Sequence, residues 1–159
     1  MLASLIVRRY QPTDYEAVWQ LHNLALHQVG AHPGNGPWDD DLHHIEMVYL
    51  QNGGEFLVGV LDGQIVAMGA LGRIDATHAQ IKRMRVHPDH QRRGYGQAIL
   101  THLETRAVEL GYTCLTLDTT TLQVGAQRFY EKNGYRQFAQ TAYGPFQILL
   151  YQKELYPAR

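Results

Sequence analysis

The chain has 159 residues, of which 45% are hydrophobic, and its formal net charge is −1 at pH 7. This length suits one domain with a sizeable core, which we expect to span residues 1–159. The near-neutral charge argues against nucleic acid or an anionic membrane as the main partner, and no apolar run is long enough to span a bilayer. The single cysteine, Cys114, allows no internal disulfide and fits a reducing compartment, so we expect a cytoplasmic protein.

Hydrophobic periodicity and turn residues predict a series of strands and helices. Thr13 and Glu16 form a capping-box pattern at the start of the first helix, and Asp62 with Gly63 is a tight-turn pair that joins two strands in a hairpin. The Gly- and Pro-rich residues 30–38 predict a loop. In chain order the predicted elements are a strand at 4–9, a helix from 13 to about 30, a helix from 39 to 50, strands at 55–61, 64–71 and 79–86, a helix at 95–110, a strand at 112–118, a helix at 123–132, and strands at 135–141 and 146–154.

A glycine-rich segment before the helix at 95–110 is the most informative feature of the sequence. Residues 91–97 read Gln-Arg-Arg-Gly-Tyr-Gly-Gln. Glycine lets the backbone approach a ligand closely, and the first turn of a helix presents unpaired N–H groups at the positive end of its dipole. Arg92 and Arg93 add fixed positive charge. These features predict a binding site for a pyrophosphate.

Two common phosphate-binding motifs fit this segment poorly. A Walker A loop needs Lys and then Ser or Thr after the second glycine, but Gln97 and Ala98 follow it. A Rossmann fingerprint needs glycine where Ile99 stands, and its turn directly follows a strand. Asp118 does lie about 20 residues further on, where a ribose-binding acid is expected. Both interpretations are weak.

The segment from Gln91 to Gly96 resembles the Gln/Arg-x-x-Gly-x-Gly/Ala signature of the GNAT N-acetyltransferase superfamily, which binds the pyrophosphate of acetyl-CoA. The strand ending in MRV, the following HPDHQ, and FYEKNGYR about 35 residues later extend the resemblance over roughly residues 55–154. The resemblance implies an α/β (α+β) fold, a GNAT-like mixed sheet of about seven strands with helices on both faces and splayed central strands. It also implies acetyl-CoA as the acetyl donor.

The resemblance implies a cofactor site between the strands at 79–86 and 112–118, where the pantetheine arm of CoA would lie. Gln123 falls where many relatives carry an asparagine that contacts the pantetheine. The residues implied in backbone contacts with the pantetheine are Met84, Arg85 and Val86, and those implied around the pyrophosphate are Gln91, Arg92, Arg93, Gly94, Tyr95, Gly96 and Gln97.

The chemistry of acetyl transfer needs a base, an oxyanion donor and an acid. A protonated alkylamine, with a pKa of ~10, has no free lone pair, so a base must take a proton before the amine attacks the thioester. Tyr130 matches the tyrosine that in many relatives protonates the departing CoA thiolate; the alternative is an aromatic that only packs. Gln80 stands where several relatives place Glu, and glutamine cannot take a proton. The remaining candidates for the base are an ordered water, His78, Asp39, Asp40 and Glu46.

The acceptor would lie near the loop at 30–38 and near Tyr143, where relatives bind it, so Trp38, Asp39, Gln80 and Tyr143 are candidate acceptor contacts. The acids at 39–41 could instead cap a helix, and Trp38 could be a hydrophobic staple.

Two histidine pairs, His87 with His90 and His43 with His44, lack further ligands at a recognised spacing, so we expect no metal site.

Three functions remain open at this stage. The first is an N-acetyltransferase that acts on a primary amine of a small molecule by direct attack in a ternary complex. The second is an acetyltransferase that has a protein N-terminus or a lysine as acceptor. The third is a non-catalytic acetyl-CoA-binding regulatory module, which stays open because Gln80 cannot act as a base.

The last strand, residues 146–151, is more apolar than a half-exposed edge strand should be, and many relatives dimerise. We therefore expect a homodimer, the alternative being a strand buried on both faces within one subunit.

Overall fold

A computed structural model describes residues 4–28 and 34–156, so the predicted helix end near Gly30 and residues 30–33 of the predicted loop at 30–38 lie outside the described residues. Within these two ranges, no helix is long and apolar enough to cross a membrane. The α-helices are α1 (Tyr15–Gln28), α2 (Tyr95–Glu109) and α3 (Val124–Lys132). The strands are β1 (Ile6–Arg9), β2 (Glu55–Leu61), β3 (Gln64–Arg73), β4 (His78–Val86), β5 (Cys114–Thr120), β6 (Arg136–Tyr143) and β7 (Phe146–Glu154).

The seven strands form one mixed sheet in the order β1-β2-β3-β4-β5-β7-β6. All neighbouring pairs are antiparallel except β4 and β5, which are parallel and are joined through α2. Two buried apolar clusters lie on opposite faces of the sheet. Leu71, Ile81 and Leu117 pack with α2 on one face, whereas Phe56 and Met68 pack with α1 on the other. The mixed sheet with helices on both faces confirms the predicted fold class.

The ladder between β4 and β5 is short. It pairs only His78, Ala79 and Gln80 with residues 114–116, although both strands continue beyond these positions. Residues 81–86 of β4 therefore have no strand partner on the β5 side. This is the predicted separation of the central strands, and it leaves backbone groups of β4 open to a ligand.

A β-bulge near Arg83 decides which way the β4 side chains point. The register with β3 shifts between the Met68–Arg85 pair and the Ala70–Lys82 pair, and Arg83 has a φ of 57°. An extra residue of this kind places two consecutive side chains on one face of the sheet. The side chains of Lys82, Arg83 and Arg85 consequently lie on the α1 face, while Met84 packs into the core beneath α2.

The predicted second α-helix, from 39 to 50, is wrong. Residues 37–43 form a 3₁₀-helix and residues 46–50 a single π-helical turn, separated by a break at His44. The three-residue period of the 3₁₀-helix places Asp39 and Leu42 together on its buried side. Burial of this pair and the contact of Asp41 with β4 stabilise this conformation more than helix propensity would stabilise an α-helix.

The cap of the first helix also differs from the prediction. A 3₁₀ turn at 12–14 precedes α1, which begins at Tyr15. Asp14, not Thr13, does the capping: its carboxylate accepts from the backbone N–H of Gln11 at 2.8 Å and pairs with Arg8 at 2.7 Å. The acidic side chain is preferred here because it satisfies both a backbone donor and a guanidinium.

The apolar strand β7 is not at the edge of the sheet. It lies between β5 and β6, so its Leu149 and Tyr151 are buried within one subunit. The edge is β6, whose side chains are mostly exposed. The apolar composition of β7 therefore has an explanation inside the subunit, and the homodimer stays a prediction that this strand no longer supports.

We predict that the ion pair between Asp41 and Arg83 stabilises the fold. Arg83 donates from Nε to Asp41 at 3.0 Å, and Tyr49 donates to the same carboxylate. Removing one partner of a buried pair leaves an uncompensated charge, so Asp41→Ala should lower the free energy of unfolding by about 3 kcal/mol at neutral pH. Its exposed neighbour provides the control, since Asp40→Ala should change this free energy by less than about 0.5 kcal/mol.

The pH dependence of Asp41→Ala gives a second readout. Burial raises the pKa of Asp41, but the hydrogen bond and charge of Arg83 outweigh it and hold the pKa below its usual range. A depressed folded-state pKa contributes stability above the unfolded-state pKa that is lost as the pH falls through the folded value. The difference between wild type and Asp41→Ala, measured by urea unfolding, should therefore shrink in acid. A constant difference from neutral to acidic pH would contradict this role.

Candidate active site

A cavity of about 250 Å³ lies where β4 and β5 separate, and residues from both faces of the sheet line it. Its lining includes three residues predicted for the cofactor, namely Met84, Arg85 and Gln123, the predicted acid Tyr130, and all four predicted acceptor residues, namely Trp38, Asp39, Gln80 and Tyr143. Val86, at the end of β4, and residues 91–97, in the loop before α2 and its first turn, lie outside the lining. The structure thus brings the predicted acyl-transfer residues together and sets the pyrophosphate loop apart from them.

Tyr130 is buried and lines the cavity. Only 7% of the residue is exposed, and its ring packs on Phe129 and Tyr135. Its hydroxyl makes no hydrogen bond to the residues that the structure describes. Burial raises the pKa of Tyr130 above its usual range, with a smaller lowering by the charge of Arg85 and a smaller raising by that of Asp118. The phenol therefore carries its proton at neutral pH and can donate it.

The loop before α2 has the geometry of an anion site. Gly94 is the N-cap of α2 and has a φ of 83°, and Arg92 has a φ of 63°. The first intrahelical bond runs from Ala98 to the Gly94 carbonyl, so the preceding N–H groups have no intrahelical acceptor. Arg92 and Arg93 are exposed beside them. A Cβ added at Gly96 would lie 3.5 Å from the Val86 side chain, an ordinary contact distance, so the start of α2 lies beside the end of β4.

Two of the predicted cofactor residues use their side chains inside the protein. Gln97 and Asn133 exchange two amide hydrogen bonds, of 2.9 and 3.0 Å, which tie the start of α2 to the end of α3. The Gln123 side-chain oxygen accepts from Thr119 and from Thr120, and so shapes the turn between β5 and α3. Gln97 could reach a pyrophosphate only through its backbone, whereas Gln123 keeps its amide nitrogen for a ligand.

Trp38 and Tyr143 form the mouth of the cavity. Their rings meet edge to face with centroids 6.4 Å apart, and both are more than a third exposed. The Trp38 indole donates to the Gly34 carbonyl at 2.9 Å, and the Trp38 carbonyl accepts from Arg83 at 2.6 Å. These bonds orient Trp38 towards the cavity, where an acceptor would pass, and the staple interpretation is not needed to explain its position.

Asp39 lies beneath the cavity surface with its carboxylate already engaged. It is 2% exposed, and it accepts from the His22 ring at 2.9 Å and from Asn35 at 3.1 Å. Burial, followed by the charges of Arg85 and Arg83, lowers the pKa of His22 to about 4, so the ring is neutral at neutral pH and donates its Nε2 proton. Asp39 is therefore better placed to orient His22 and to complement Arg83, 3.8 Å away, than to bind an acceptor.

Sequence reasoning missed Asp118 as a candidate base. Its carboxylate is exposed to the cavity and accepts from the Gln80 side chain at 3.2 Å, at the point where the strands separate. The alternation of β5 offered a signal, because Leu115 and Leu117 face the core and Asp118 therefore faces the opposite side. Of the four earlier candidates, His78, Asp40 and Glu46 do not line the cavity.

The sequence also gave no role to the side chain of Arg85. The Arg85 Nε is buried without a hydrogen-bond partner, and Nη1 donates to the Met84 carbonyl at 2.8 Å. Among the described residues, no carboxylate forms an ion pair with Arg85. Burial lowers the pKa of Arg85 to about 10, so the guanidinium remains charged at neutral pH.

The histidine pairs do not form a metal centre in the part of the chain that the structure describes. No group of three or more His, Cys, Asp or Glu side chains there could hold a metal ion. His87 accepts from the backbone N–H of Asp89 at 3.1 Å, and His43 hydrogen-bonds to Tyr15 at 2.5 Å. Both histidines thus have local structural partners.

Comparison with known proteins identifies the family. The family described as "Acetyltransferase (GNAT) family" matches residues 15–135, which is more than half of the chain. The chain belongs to the GNAT family of acetyltransferases. This confirms the predicted family and the predicted class of enzyme domain, for which acetyl-CoA is the expected donor.

Individual relatives of the GNAT family extend the comparison. N-acetylaspartate synthetase from Danio rerio is 30% identical over 103 residues, which are 64% of this chain and 36% of that protein. The chain spans between about a third and a half of the first curated relatives that it matches, at 36%, 50% and 36% of their lengths.

Solved GNAT structures match nearly the whole chain. An acetyltransferase of the GNAT family from Staphylococcus aureus Mu50 superposes with a TM-score of 0.86 at 21% identity, covering 96% of this chain and 100% of that one. The yncA protein from Salmonella typhimurium, solved with its cofactor acetyl-CoA, superposes with a TM-score of 0.77 at 20% identity, covering 96% and 94%. At these identities the likeness confirms the fold.

We predict that Gly94→Glu abolishes binding of acetyl-CoA, because the new side chain puts bulk and negative charge where the pyrophosphate should lie. Wild-type protein should gain about 5–10 °C in Tm at a 100-fold excess of acetyl-CoA over Kd, since the ligand stabilises the folded state by mass action. Gly94→Glu should show no gain in differential scanning fluorimetry.

Gly63→Glu is the matched control for this measurement. Gly63 has a φ of 79°, close to the 83° of Gly94, and a Cβ at either position meets no atom within 4 Å. Both variants therefore carry similar backbone strain, but Gly63 lies in the β2–β3 hairpin, away from the cavity. Gly63→Glu should lower the basal Tm yet keep the gain with acetyl-CoA; equal gains in both variants would show that the loop assignment is wrong.

Proposed function

We propose that the protein is an N-acetyltransferase that moves the acetyl group of acetyl-CoA to a primary amine of a small molecule. The observation that carries this proposal is the coincidence, in one cavity, of three features: the end of the β4–β5 ladder, the hydroxyl of Tyr130 and the carboxylate of Asp118. Membership of the GNAT family and the likeness to a structure solved with acetyl-CoA support the same donor.

The proposed reaction is a direct attack within a ternary complex. Pantetheine lies along the unpaired side of β4, at residues 81–86, and its pyrophosphate lies on the start of α2. The amine nitrogen bonds to the thioester carbon, and a free N–H of β4 hydrogen-bonds to the oxyanion that develops. The carbon–sulfur bond then breaks, and Tyr130 protonates the departing thiolate. The second proton, which the nitrogen loses as the amide forms, restores the Tyr130 phenol. No side-chain nucleophile is required.

Asp118 is the proposed general base. A carboxylate is a much weaker base than an alkylamine, so proton removal needs help from the surroundings. Lys82, Arg83 and Arg85 line the same cavity, and nearby positive charges disfavour an ammonium ion and lower its pKa. Asp118 attracts the incoming ammonium and receives its proton, while the Gln80 amide holds the carboxylate in place.

The size of the cavity favours a small acceptor. Its volume of about 250 Å³ is below the ~300–1,000 Å³ typical of pockets for drug-sized ligands. One GNAT relative is named for the synthesis of a small N-acetylated product, N-acetylaspartate. We therefore place a small-molecule amine before a protein N-terminus or a lysine side chain.

The decisive experiment for the proposed function is CoA release, followed with a thiol reagent, over a panel of small amines and peptides. We expect turnover with at least one small amine above the rate of acetyl-CoA hydrolysis. Turnover with peptides alone would point to a protein acceptor. Binding of acetyl-CoA without turnover of any amine would show a non-catalytic binding module.

We predict that Tyr130→Phe lowers kcat by about 10²-fold with little change in acetyl-CoA affinity, because it removes only the donor and keeps the ring packing. The matched control is Tyr112→Phe. Tyr112 is also buried, but its hydroxyl donates to the Gly53 carbonyl at 2.5 Å, outside the cavity. A wild-type kcat for Tyr130→Phe across the pH range would remove Tyr130 from the mechanism.

Asp118→Asn, measured alongside, should also lower kcat and leave acetyl-CoA binding intact.

A further inference from the structure

The strongest unexplained feature of the cavity is the guanidinium of Arg85. A buried donor without a partner costs free energy, and buried polar groups in folded proteins nearly always have one. The Arg85 Nε is buried and has no partner, and the one described hydrogen bond of this side chain goes to the Met84 carbonyl. In the proposed mechanism of acetyl transfer the Arg85 guanidinium contributes only its charge and gains no hydrogen-bond acceptor, so its position calls for another ligand.

The neighbouring Arg83 shows that the fold can neutralise an arginine on this strand. Asp41 holds the Arg83 guanidinium through both Nε and Nη2, and Asp39 lies 3.8 Å from Nη1. Arg85 is two residues further along β4 and faces the same cavity, but no described carboxylate lies within ion-pair distance of it. The charge of Arg85 is therefore left unmatched where the charge of Arg83 is satisfied.

The charges that line the cavity leave a local positive surplus. Lys82 also faces the cavity, and within the described residues it forms no ion pair. The acids that line the cavity are Asp39, which is engaged by His22 and Arg83, and Asp118, which accepts from Gln80. An anion that enters the cavity would thus meet two cations, Arg85 and Lys82, that form no ion pair with a described residue.

We propose that the acceptor amine carries a carboxylate group, and that Arg85, assisted by Lys82, binds this carboxylate and sets the specificity of the enzyme. This inference rests on the proposed function and names its substrate class. Arginine suits the role because its planar guanidinium can pair with both oxygens of a carboxylate.

Asp118 supplies the opposite charge in the same cavity. Asp118 and Arg85 are close enough to act on each other electrostatically, and both act on Tyr130, yet they do not form an ion pair. A zwitterion can lie between them, with its ammonium towards Asp118 and its carboxylate towards Arg85. This orientation places the amine beside the base and the acid. A monoamine without a carboxylate would lack the second anchor.

The test compares matched pairs of acceptors by CoA release. Glycine, β-alanine, γ-aminobutyrate, L-aspartate and L-phenylalanine are each assayed against the corresponding amide, so that the spacing between amine and carboxylate varies. Losing one partner of a buried charge pair costs enough to give a difference of about 30-fold or more in kcat/KM for the best pair, mainly through KM. The amides have the less basic amines, so a preference for the carboxylates cannot arise from easier deprotonation.

Variants of Arg85 identify the residue that makes the discrimination. Arg85→Gln should bring the ratio between carboxylate and amide close to one, and Arg85→Lys should restore part of it. Arg136→Gln, an exposed arginine on the edge strand β6, should leave the ratio unchanged. Arg85→Gln should not lower the Tm of the free protein, because an unpaired buried charge does not stabilise the fold. A lowered Tm with an unchanged ratio would assign Arg85 a purely structural role.

Binding measurements separate failure of this inference from failure of the proposed function. With CoA bound, β-alanine and L-aspartate should raise the Tm of wild-type protein but not of Arg85→Gln, whether or not any amine is acetylated. Equal turnover of carboxylates and amides would overturn the inference and leave the acetyltransferase proposal standing. The absence of turnover, together with a carboxylate-dependent rise in Tm that needs Arg85, would overturn the acetyltransferase proposal and leave the carboxylate site at Arg85 standing.

Discussion

The early end of the β4–β5 ladder is the constraint on which the rest of the molecule depends. A parallel pair normally continues until one strand stops, because every unpaired N–H and C=O group inside a sheet costs free energy. Here both strands continue beyond Gln80 and Thr116 without pairing to each other. The separation is stable only because other elements hold each strand: β3 pairs with β4 along its length, and β7 pairs with all seven residues of β5.

The bulge in β4 follows from the same constraint. A regular strand would place Arg83 in the core beneath α2, where no acid is available to it. The bulge turns Arg83 towards the 3₁₀-helix at 37–43, and Asp41 there fixes its guanidinium. This pair joins the irregular segment to the sheet, and the Trp38 carbonyl, which accepts from Arg83, is tied to the same point. The stability of the fold and the shape of the cavity mouth therefore depend on one ion pair.

The regular elements on the proposed cofactor side could be predicted from the sequence, and the irregular ones on the acceptor side could not. The glycine segment at 91–97, α2 and the β2–β3 hairpin follow from local rules, since glycine, caps and hydrophobic periods act over a few residues. The segment at 37–50 fails these rules because its conformation is set by His22 and Arg83, which are distant in sequence. Asp118 and the Arg85 side chain were missed for the same reason, since their importance depends on which strands separate.

The same contrast explains how one fold can keep a fixed donor and change its acceptor. The donor would be held by backbone groups of β4 and of the first turn of α2, and backbone groups are the same whatever side chains the sequence carries. The acceptor would be bound by side chains. These are Arg85, Lys82 and Asp118 inside the cavity, with Trp38 and Tyr143 at its entrance. Substituting any of these alters charge or shape in the cavity without disturbing the ladder of β3 and β4. Because Arg85 forms no ion pair with a described residue, its replacement changes the charge of the cavity without breaking an ion pair of the fold, whereas replacing Arg83 would break its pair with Asp41.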